Sequence, residues 1–266
     1  MSWWGKLLGG TFGFMLGGPL GAILGASLGH NFDRGLGLLD GRSVEQLSDF
    51  GVNDVERIQS AFFTATFSMM GHLAKSDGAV TPAEIAVAES VMQQMRLSPQ
   101  QRKVAISLFE KGKQNDFPVR DILQQFRQEC QRRNNLLQMF MEILIVTALA
   151  DGNLKSAERQ ILDTTAAAVG FTQQEFQTIL RRLQASQQMH GKQESAESRL
   201  HEAYRLLGLD SNADDATLKR AYRRLMNQHH PDKLVAKGLP REMMDMANRK
   251  TQEIKAAYEL IRASRG

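Results

Sequence analysis

The sequence is poor in cysteine, because Cys130 is the only one among 266 residues. A single cysteine excludes an intramolecular disulfide framework and fits a reducing compartment. The sequence also lacks a glycine-rich phosphate loop of the Walker type, so it offers no evident ATPase site of its own. The net charge is +4, yet apart from one helix face near the C-terminus no basic tract typical of nucleic-acid binding occurs. We therefore expect no nucleic-acid partner, no cofactor and no catalytic residues.

Charged side chains are absent from residues 7–29. As a helix this stretch would be roughly 34 Å long at 1.5 Å per residue, enough to cross a bilayer core of about 30 Å. Trp3 and Trp4 precede it, and indole rings favour the membrane–water boundary. A cleaved signal peptide is the alternative, but the apolar stretch is long for one. The resulting prediction is a short external N-terminus, a single transmembrane helix and a juxtamembrane segment, at residues 1–6, 7–30 and 31–51.

Glycine recurs at every fourth position of this segment, from Gly5 to Gly29. A stripe without side chains lets a second helix approach closely. Four residues turn a helix by about 400°, so the stripe drifts by about 40° per step and only about three consecutive glycines can face one straight neighbour. Common transmembrane composition is the alternative explanation. We predict a homodimer through this helix, with a bend at Pro19 and a contact drawn from Gly9, Gly13, Gly17, Gly21 and Gly25.

An internal repeat with an offset of 74 residues occupies the middle of the chain. Residues 74–80 match residues 148–154, and the match continues to the segments that follow Ser98 and Thr172. Each copy predicts an apolar helix, an Asp-Gly turn, a second helix and a third helix that starts with a capping box. The two copies are predicted to pack as one helical bundle at residues 52–185, which resembles the TerB-like helical domain.

The two Asp-Gly turns, Asp77-Gly78 and Asp151-Gly152, admit two interpretations. Turn carboxylates can bind hard cations, but each turn offers too few oxygen ligands in sequence. We favour helix-terminating turns without a metal ion. Glu84 and Glu158 are interpreted as first-turn residues favoured by the helix dipole.

Near the C-terminus, His230-Pro231-Asp232 separates two predicted amphipathic helices. Proline cannot continue a helix and also keeps the preceding residue out of helical dihedrals. Before the triplet, apolar residues follow a helical period on one face. The opposite side is basic and carries Lys219, Arg220, Arg223 and Arg224, with no acidic residue among them. Adjacent histidines diverge on a backbone and lack the spacing of zinc ligands, so a metal or proton-transfer site is the weaker interpretation.

Residues 199–266 resemble the J domain of the Hsp40 family. The likeness rests on Tyr-Arg-Leu-Leu-Gly-Leu at 204–209, the basic helix, His-Pro-Asp-Lys at 230–233 and Ile-Lys-Ala-Ala-Tyr-Glu-Leu-Ile at 254–261. J domains bind ATP-bound Hsp70 and stimulate its ATPase. The resemblance implies that the basic face meets an acidic Hsp70 surface and that His230, Pro231 and Asp232 trigger hydrolysis.

The order of the segments is similar to that of the membrane-anchored J-domain co-chaperones of bacteria, with residues 186–198 as a flexible linker. This resemblance implies a non-enzymatic regulator of the Hsp70 protein DnaK at the inner membrane. It further implies an anchor-mediated dimer, a role in envelope-stress or capsule regulation and the bulk of the chain in the cytoplasm. A membrane scaffold whose bundle binds a partner independently of Hsp70 is the alternative.

Overall fold

The computed structural model describes residues 16–32, 54–76, 78, 80–95, 97–131, 133–187, 196–239 and 244–265. The regular secondary structure of these ranges is helical throughout, so the predicted all-α class is confirmed. The helices, in chain order, are α1 Gly18–Phe32, α2 Asp54–Ala74, α3 Pro82–Gln94, α4 Pro99–Gly112, α5 Val119–Glu129, α6 Asn134–Ala148, α7 Ser156–Val169, α8 Gln173–Gln187, α9 Ala196–Leu207, α10 Asp215–His229, α11 Pro231–Ala236 and α12 Met244–Ser264.

Helices α2 to α8 form a bundle in which the predicted duplication is visible. Helices α3 and α7 begin 74 residues apart, and so do α4 and α8. Helix α2 packs against α4 and α6, which brings the two copies together. The centre of the bundle is aromatic: Phe62 and Phe140 each lie against Phe126, with ring centroids 6.1 and 4.6 Å away. The bundle therefore has one core shared by both copies.

The predicted helix starts are confirmed by their hydrogen bonds. Thr81 and Ser98 form complete capping boxes with the residues three positions later. Thr172 repeats the arrangement, since its backbone amide donates to Glu175 Oε2 over 2.8 Å. In the second copy the Lys155 amide donates to Glu158 Oε2 over 2.8 Å. Each box satisfies backbone donors that a helix leaves open at its first turn.

The Asp-Gly turns have the geometry of helix-terminating turns. Gly78 and Gly152 adopt φ values of 102° and 86°, a region that favours glycine. Asp151 Oδ1 accepts a hydrogen bond of 3.2 Å from the Asn153 amide, as in an Asx turn. Asp77 lies outside the described residues. In the part of the chain that is described, no group of three or more His, Cys, Asp or Glu side chains is arranged to hold a metal ion.

Helices α2 and α4 cross so closely that glycine is required on both. A methyl group on Gly112 would overlap the Ser68 carbonyl oxygen and lie 2.7 Å from the Ser68 carbonyl carbon. A methyl group on Gly71 would overlap the Phe109 carbonyl oxygen in the same way. The two backbones are therefore in direct contact, and this contact sets the separation of α2 and α4.

Helix α1 packs against α4 and α5. Leu16, Leu20 and Leu24 are buried on this side. Gln125 on α5 binds the start of α1: its Oε1 accepts from the Leu20 amide over 2.8 Å, and its Nε2 donates to the Gly17 carbonyl over 2.9 Å. Among the described residues, we find no helix with both the length and the apolar character that a bilayer crossing requires.

Only part of the predicted glycine stripe, together with the predicted bend at Pro19, lies within the described residues. Gly9 and Gly13 lie outside the described ranges. The backbone departs from helical dihedrals at Gly17 and Gly18, where φ is 56° at both residues. The break therefore comes just before Pro19, which occupies the first turn of α1, a position that tolerates proline.

Helices α9 to α12 form a second cluster near the C-terminus. The predicted apolar faces are buried: Leu218 and Leu225 on α10 meet Ile254 and Ile261 on α12. The rings of Tyr222 and Tyr258 stack with centroids 4.2 Å apart. Helices α8 and α9 reach into both ends of the segment 186–198 that we predicted as a linker, and the residues between them lie outside the described part.

Candidate functional site

The His-Pro-Asp loop lies at the junction of two helices. Helix α10 starts at an N-cap, where Asp214 Oδ1 accepts from the Thr217 amide over 2.8 Å, and it ends at His229. His230 is extended, with φ −60° and ψ 123°. Pro231 is the first residue of α11, where its missing amide hydrogen costs nothing. The sequence predicted the bend at Pro231 but not the short helix α11 that follows it. A proline followed by an acidic residue is typical of a first helical turn, so Pro231 and Asp232 could have indicated this helix.

The residues of the loop differ in their exposure to solvent. Asp232 and Lys233 are exposed, whereas His230 and Pro231 are half-buried. Lys233 Nζ donates to the side-chain oxygen of Asn227, two residues before the end of α10. His230 Nδ1 is buried and has no hydrogen-bond partner among the described atoms. The loop therefore offers an accessible carboxylate, while one nitrogen of its imidazole is unsatisfied.

The basic face of α10 is open to solvent. Its four cations, Lys219, Arg220, Arg223 and Arg224, are all exposed. Within the described ranges none of them forms a salt bridge. Arg220 Nη2 donates to Thr217 Oγ1 over 3.1 Å on the same helix. The structure therefore places all four predicted cations on the exposed side of α10, a charge pattern that attracts an acidic partner.

Behind the loop, the last residue of α10 is inserted into the bundle. His229 is 2 % exposed, and its Nε2 lies 3.7 Å from Glu142 Oε1 and 3.4 Å from Gln138 Nε2. Glu142 also pairs with Arg182, and both are about nine-tenths buried. This cluster was not predicted from the sequence. His229 follows Leu225 by four residues and therefore lies on the apolar face of α10. This spacing indicated that His229 is buried, but it did not indicate Glu142 as its partner.

Burial sets the ionisation of this cluster. Burial lowers the pKa of His229, although Glu142 opposes the effect, so the ring is neutral at neutral pH. Burial alone would raise the pKa of Glu142, but two positive charges hold it at about 2: that of His229, which is protonated only in acid, and that of Arg182. The Glu142 carboxylate is thus ionised at neutral pH with Arg182 as its counter-ion, and the imidazole packs beside this pair as a neutral group.

Three hydrogen bonds and several apolar side chains also join the bundle to the segments on either side of the loop. Asn135 Nδ2 donates to the Gln228 carbonyl over 2.6 Å, and Lys237 Nζ donates to Asn135 Oδ1 over 3.1 Å. Gln59 Nε2 donates to the Leu239 carbonyl over 3.4 Å. The side chains of Leu234, Leu239 and Ala247 also join the core of the bundle.

Comparison with known proteins assigns all three parts of the chain. Residues 1–42 match the family described as the co-chaperone DjlA transmembrane domain, residues 63–181 that of tellurite resistance protein TerB, and residues 202–265 the DnaJ domain. The co-chaperone protein DjlA of Shewanella oneidensis is 47% identical over 266 residues, covering 100% of this chain and 99% of that protein. The chain belongs to the DjlA co-chaperone family.

Two other DjlA proteins are similar over their full length. The protein of Photobacterium profundum is 43% identical and that of Aliivibrio fischeri 44%, covering 99% and 100% of this chain and 99% of each relative. No solved structure matches the chain. Membership in the DjlA family confirms the predicted transmembrane, TerB-like and J domains and makes the protein a membrane-anchored J-domain co-chaperone. A J-domain co-chaperone has an Hsp70 partner and belongs to a class of regulators rather than catalysts.

Proposed function

We propose that the protein stimulates the ATPase of the Hsp70 chaperone DnaK at the inner membrane. The observation that carries the proposal is the exposure of the four cations of α10 together with that of Asp232 in the loop that follows this helix. Lys219, Arg220, Arg223 and Arg224 guide an acidic surface of DnaK towards the loop, and His230, Pro231 and Asp232 act on the bound chaperone. Exposed charges govern encounter rate and orientation more than affinity, which suits a regulator that must bind and leave in each cycle.

The basic surface gives a prediction for solution conditions. Replacing Arg223 with Ala should raise the concentration of this protein needed for half-maximal stimulation of DnaK by about two- to tenfold at low salt. The dependence of that concentration on salt should also weaken, because one screened attraction is lost. ATP turnover by DnaK, measured over a salt series with the full-length protein in lipid nanodiscs, checks both effects.

A matched control is available on the bundle. Arg120 is also exposed but lies on α5, so Arg120→Ala changes the net charge equally and should leave stimulation unchanged. If both variants weaken stimulation to the same extent, the effect belongs to net charge rather than to the α10 surface. If neither variant changes stimulation, the basic face of α10 has no role in it, and the assignment of these four cations to DnaK binding is wrong.

We further propose that the protein is a dimer held by its transmembrane segment, with the N-terminus outside and the bulk of the chain in the cytoplasm. An ATP-dependent partner supports this orientation, which a reporter enzyme fused after Gly266 tests. The four-residue glycine period supports the dimer, with Gly9, Gly13, Gly17, Gly21 and Gly25 as the candidate contact. A role in envelope-stress or capsule regulation follows the resemblance described above. Its test is a comparison of envelope-stress reporter activity in cells with and without the protein, and equal activity would contradict it.

A scan of single cysteines along residues 9–25, in a background in which Cys130 is replaced by Ala, tests the dimer in native membranes. Crosslinking is expected to peak at about three consecutive glycine positions and to fall between them, because only one helix face meets the second copy. Uniform crosslinking along the scan would contradict a specific helix contact.

A further inference from the structure

The segments on both sides of the His-Pro-Asp loop contact the bundle. Gln228 precedes the loop and Lys237 follows it, and both reach the same side chain, Asn135 at the start of α6. The 2.6 Å bond from Asn135 Nδ2 to the Gln228 carbonyl satisfies an acceptor at the end of α10, where the last carbonyls lack helical partners. One residue of the bundle thus ties together the two ends of the loop.

A second contact supports the far end of the loop. Gly238 has φ 101° and approaches α2 so closely that a methyl group there would lie 2.8 Å from Ile58 Cγ2. The neighbouring Leu239 is fully buried, and its carbonyl accepts from Gln59. Both the backbone conformation and the close approach require glycine, so the turn after α11 fits against α2 with little freedom.

The third contact is the insertion of His229 beside Glu142. A buried carboxylate is tolerated only where opposite charge and hydrogen bonds compensate for its lost hydration. Arg182 and Gln138 supply these on the bundle side. The polar groups around Glu142 fix the position of the neutral His229 ring. This contact therefore orients the end of α10 more strictly than an apolar contact would.

These contacts leave the proposed DnaK-facing surface free. The cations of α10 and Asp232 are exposed in the same structure in which Asn135, Ile58 and Glu142 hold the rear of the segment. The bundle therefore binds one side of the J domain while the other side stays accessible. We propose that the bundle is a docking platform for the J domain and that Asn135 is a positioning residue for the His-Pro-Asp loop.

The physical benefit is preorganisation. A loop whose ends are already held loses less conformational freedom when a partner binds it. This part of the proposal rests on the proposed function, because its readout is the stimulation of DnaK. Loss of the Asn135 side chain should leave the loop intact but more mobile, so more protein would be needed for the same stimulation.

Asn135→Ala and Asn134→Ala form a matched pair on adjacent residues. Asn134 is exposed, whereas Asn135 is half-buried and carries the contacts to Gln228 and Lys237. Hydrogen exchange followed by mass spectrometry, on the full-length protein in nanodiscs, should show faster exchange at residues 228–239 for Asn135→Ala only. Exchange at residues 251–261 of α12 should be unchanged in both variants.

The second readout is DnaK ATP turnover with the same preparations. Asn135→Ala should raise the half-maximal concentration about three- to tenfold, with unchanged maximal stimulation and unchanged salt dependence, and Asn134→Ala should match wild type. The salt dependence separates positioning from a change in the basic face, and the α12 peptides separate it from general unfolding.

Each other outcome overturns the positioning role of Asn135. Unchanged exchange at residues 228–239 would show that Asn135 does not hold the loop. Faster exchange with wild-type stimulation would show docking without positioning, and stimulation at lower concentration would show that docking restrains the J domain. If wild type itself gives no stimulation, the proposed function fails and the positioning role with it, whereas the exchange difference would still establish docking.

Discussion

Gly112→Ala is expected to prevent the bundle from folding stably. The added methyl group would overlap the Ser68 carbonyl oxygen and lie 2.7 Å from its carbon. These are backbone atoms of a neighbouring helix, so no rotation of a flexible side chain relieves the overlap. Separating α2 from α4 would open the shared core and lower the free energy of unfolding by about 4 kcal/mol or more. A typical domain has a free energy of unfolding of only about 5–15 kcal/mol. Gly71→Ala should act alike, because its methyl group would overlap the Phe109 carbonyl oxygen.

Chemical labelling of Cys130 measures whether the bundle is folded. It is the only cysteine in the chain and is fully buried in the bundle, where burial raises the pKa of its thiol to about 12. Thiol-labelling reagents react with the accessible thiolate, so the labelling rate in native buffer reports opening of the bundle. Gly112→Ala should be labelled about as fast as the urea-unfolded chain, and wild type should resist labelling.

Gly152→Ala is the matched control. Its φ of 86° makes alanine unfavourable, but nothing lies within 4 Å of the added methyl group. The expected cost is about 1–2 kcal/mol, and the bundle should stay closed to the reagent. Slow labelling of Gly112→Ala, equal to that of Gly152→Ala, would show that the bundle accommodates the methyl group without opening, and it would contradict the close crossing of α2 and α4.

The sequence predicted the features that depend on neighbouring residues. Thr81 and Glu84 form a capping box because they are three residues apart at a helix start, and Pro231 ends α10 because proline lacks an amide hydrogen. The apolar face of α10 follows from helical period alone. The repeat was visible for the same reason, since both copies carry these local signals at a constant offset.

The features that the sequence did not predict depend on contacts between distant residues. His229 meets Glu142 and Asn135 meets Gln228 across more than 80 positions, and no local period couples them. The need for glycine at position 112 comes from a second helix rather than from a turn. Leu16 and Leu20 were predicted as part of an apolar span, and only the structure shows their contact with the bundle.

His230→Gln is expected to abolish stimulation of DnaK. Glutamine keeps a polar side chain of similar length but lacks the imidazole ring. His230 takes no part in the two Asn135 contacts, which use the Gln228 carbonyl and the Lys237 ammonium group. Pro231 keeps the His230 backbone extended, so the substitution should leave the fold and the docking of the J domain intact. The chain offers a matched control in His201, which is exposed on α9 of the same domain, and His201→Gln should stimulate normally.

The most direct test of the co-chaperone function is ATP turnover by DnaK under single-turnover conditions, with the full-length protein in nanodiscs. Wild type and His201→Gln are expected to accelerate turnover, and His230→Gln is expected to leave it at the rate of DnaK alone. If wild type gives no acceleration, or if His230→Gln accelerates turnover as much as wild type, the proposed function is wrong.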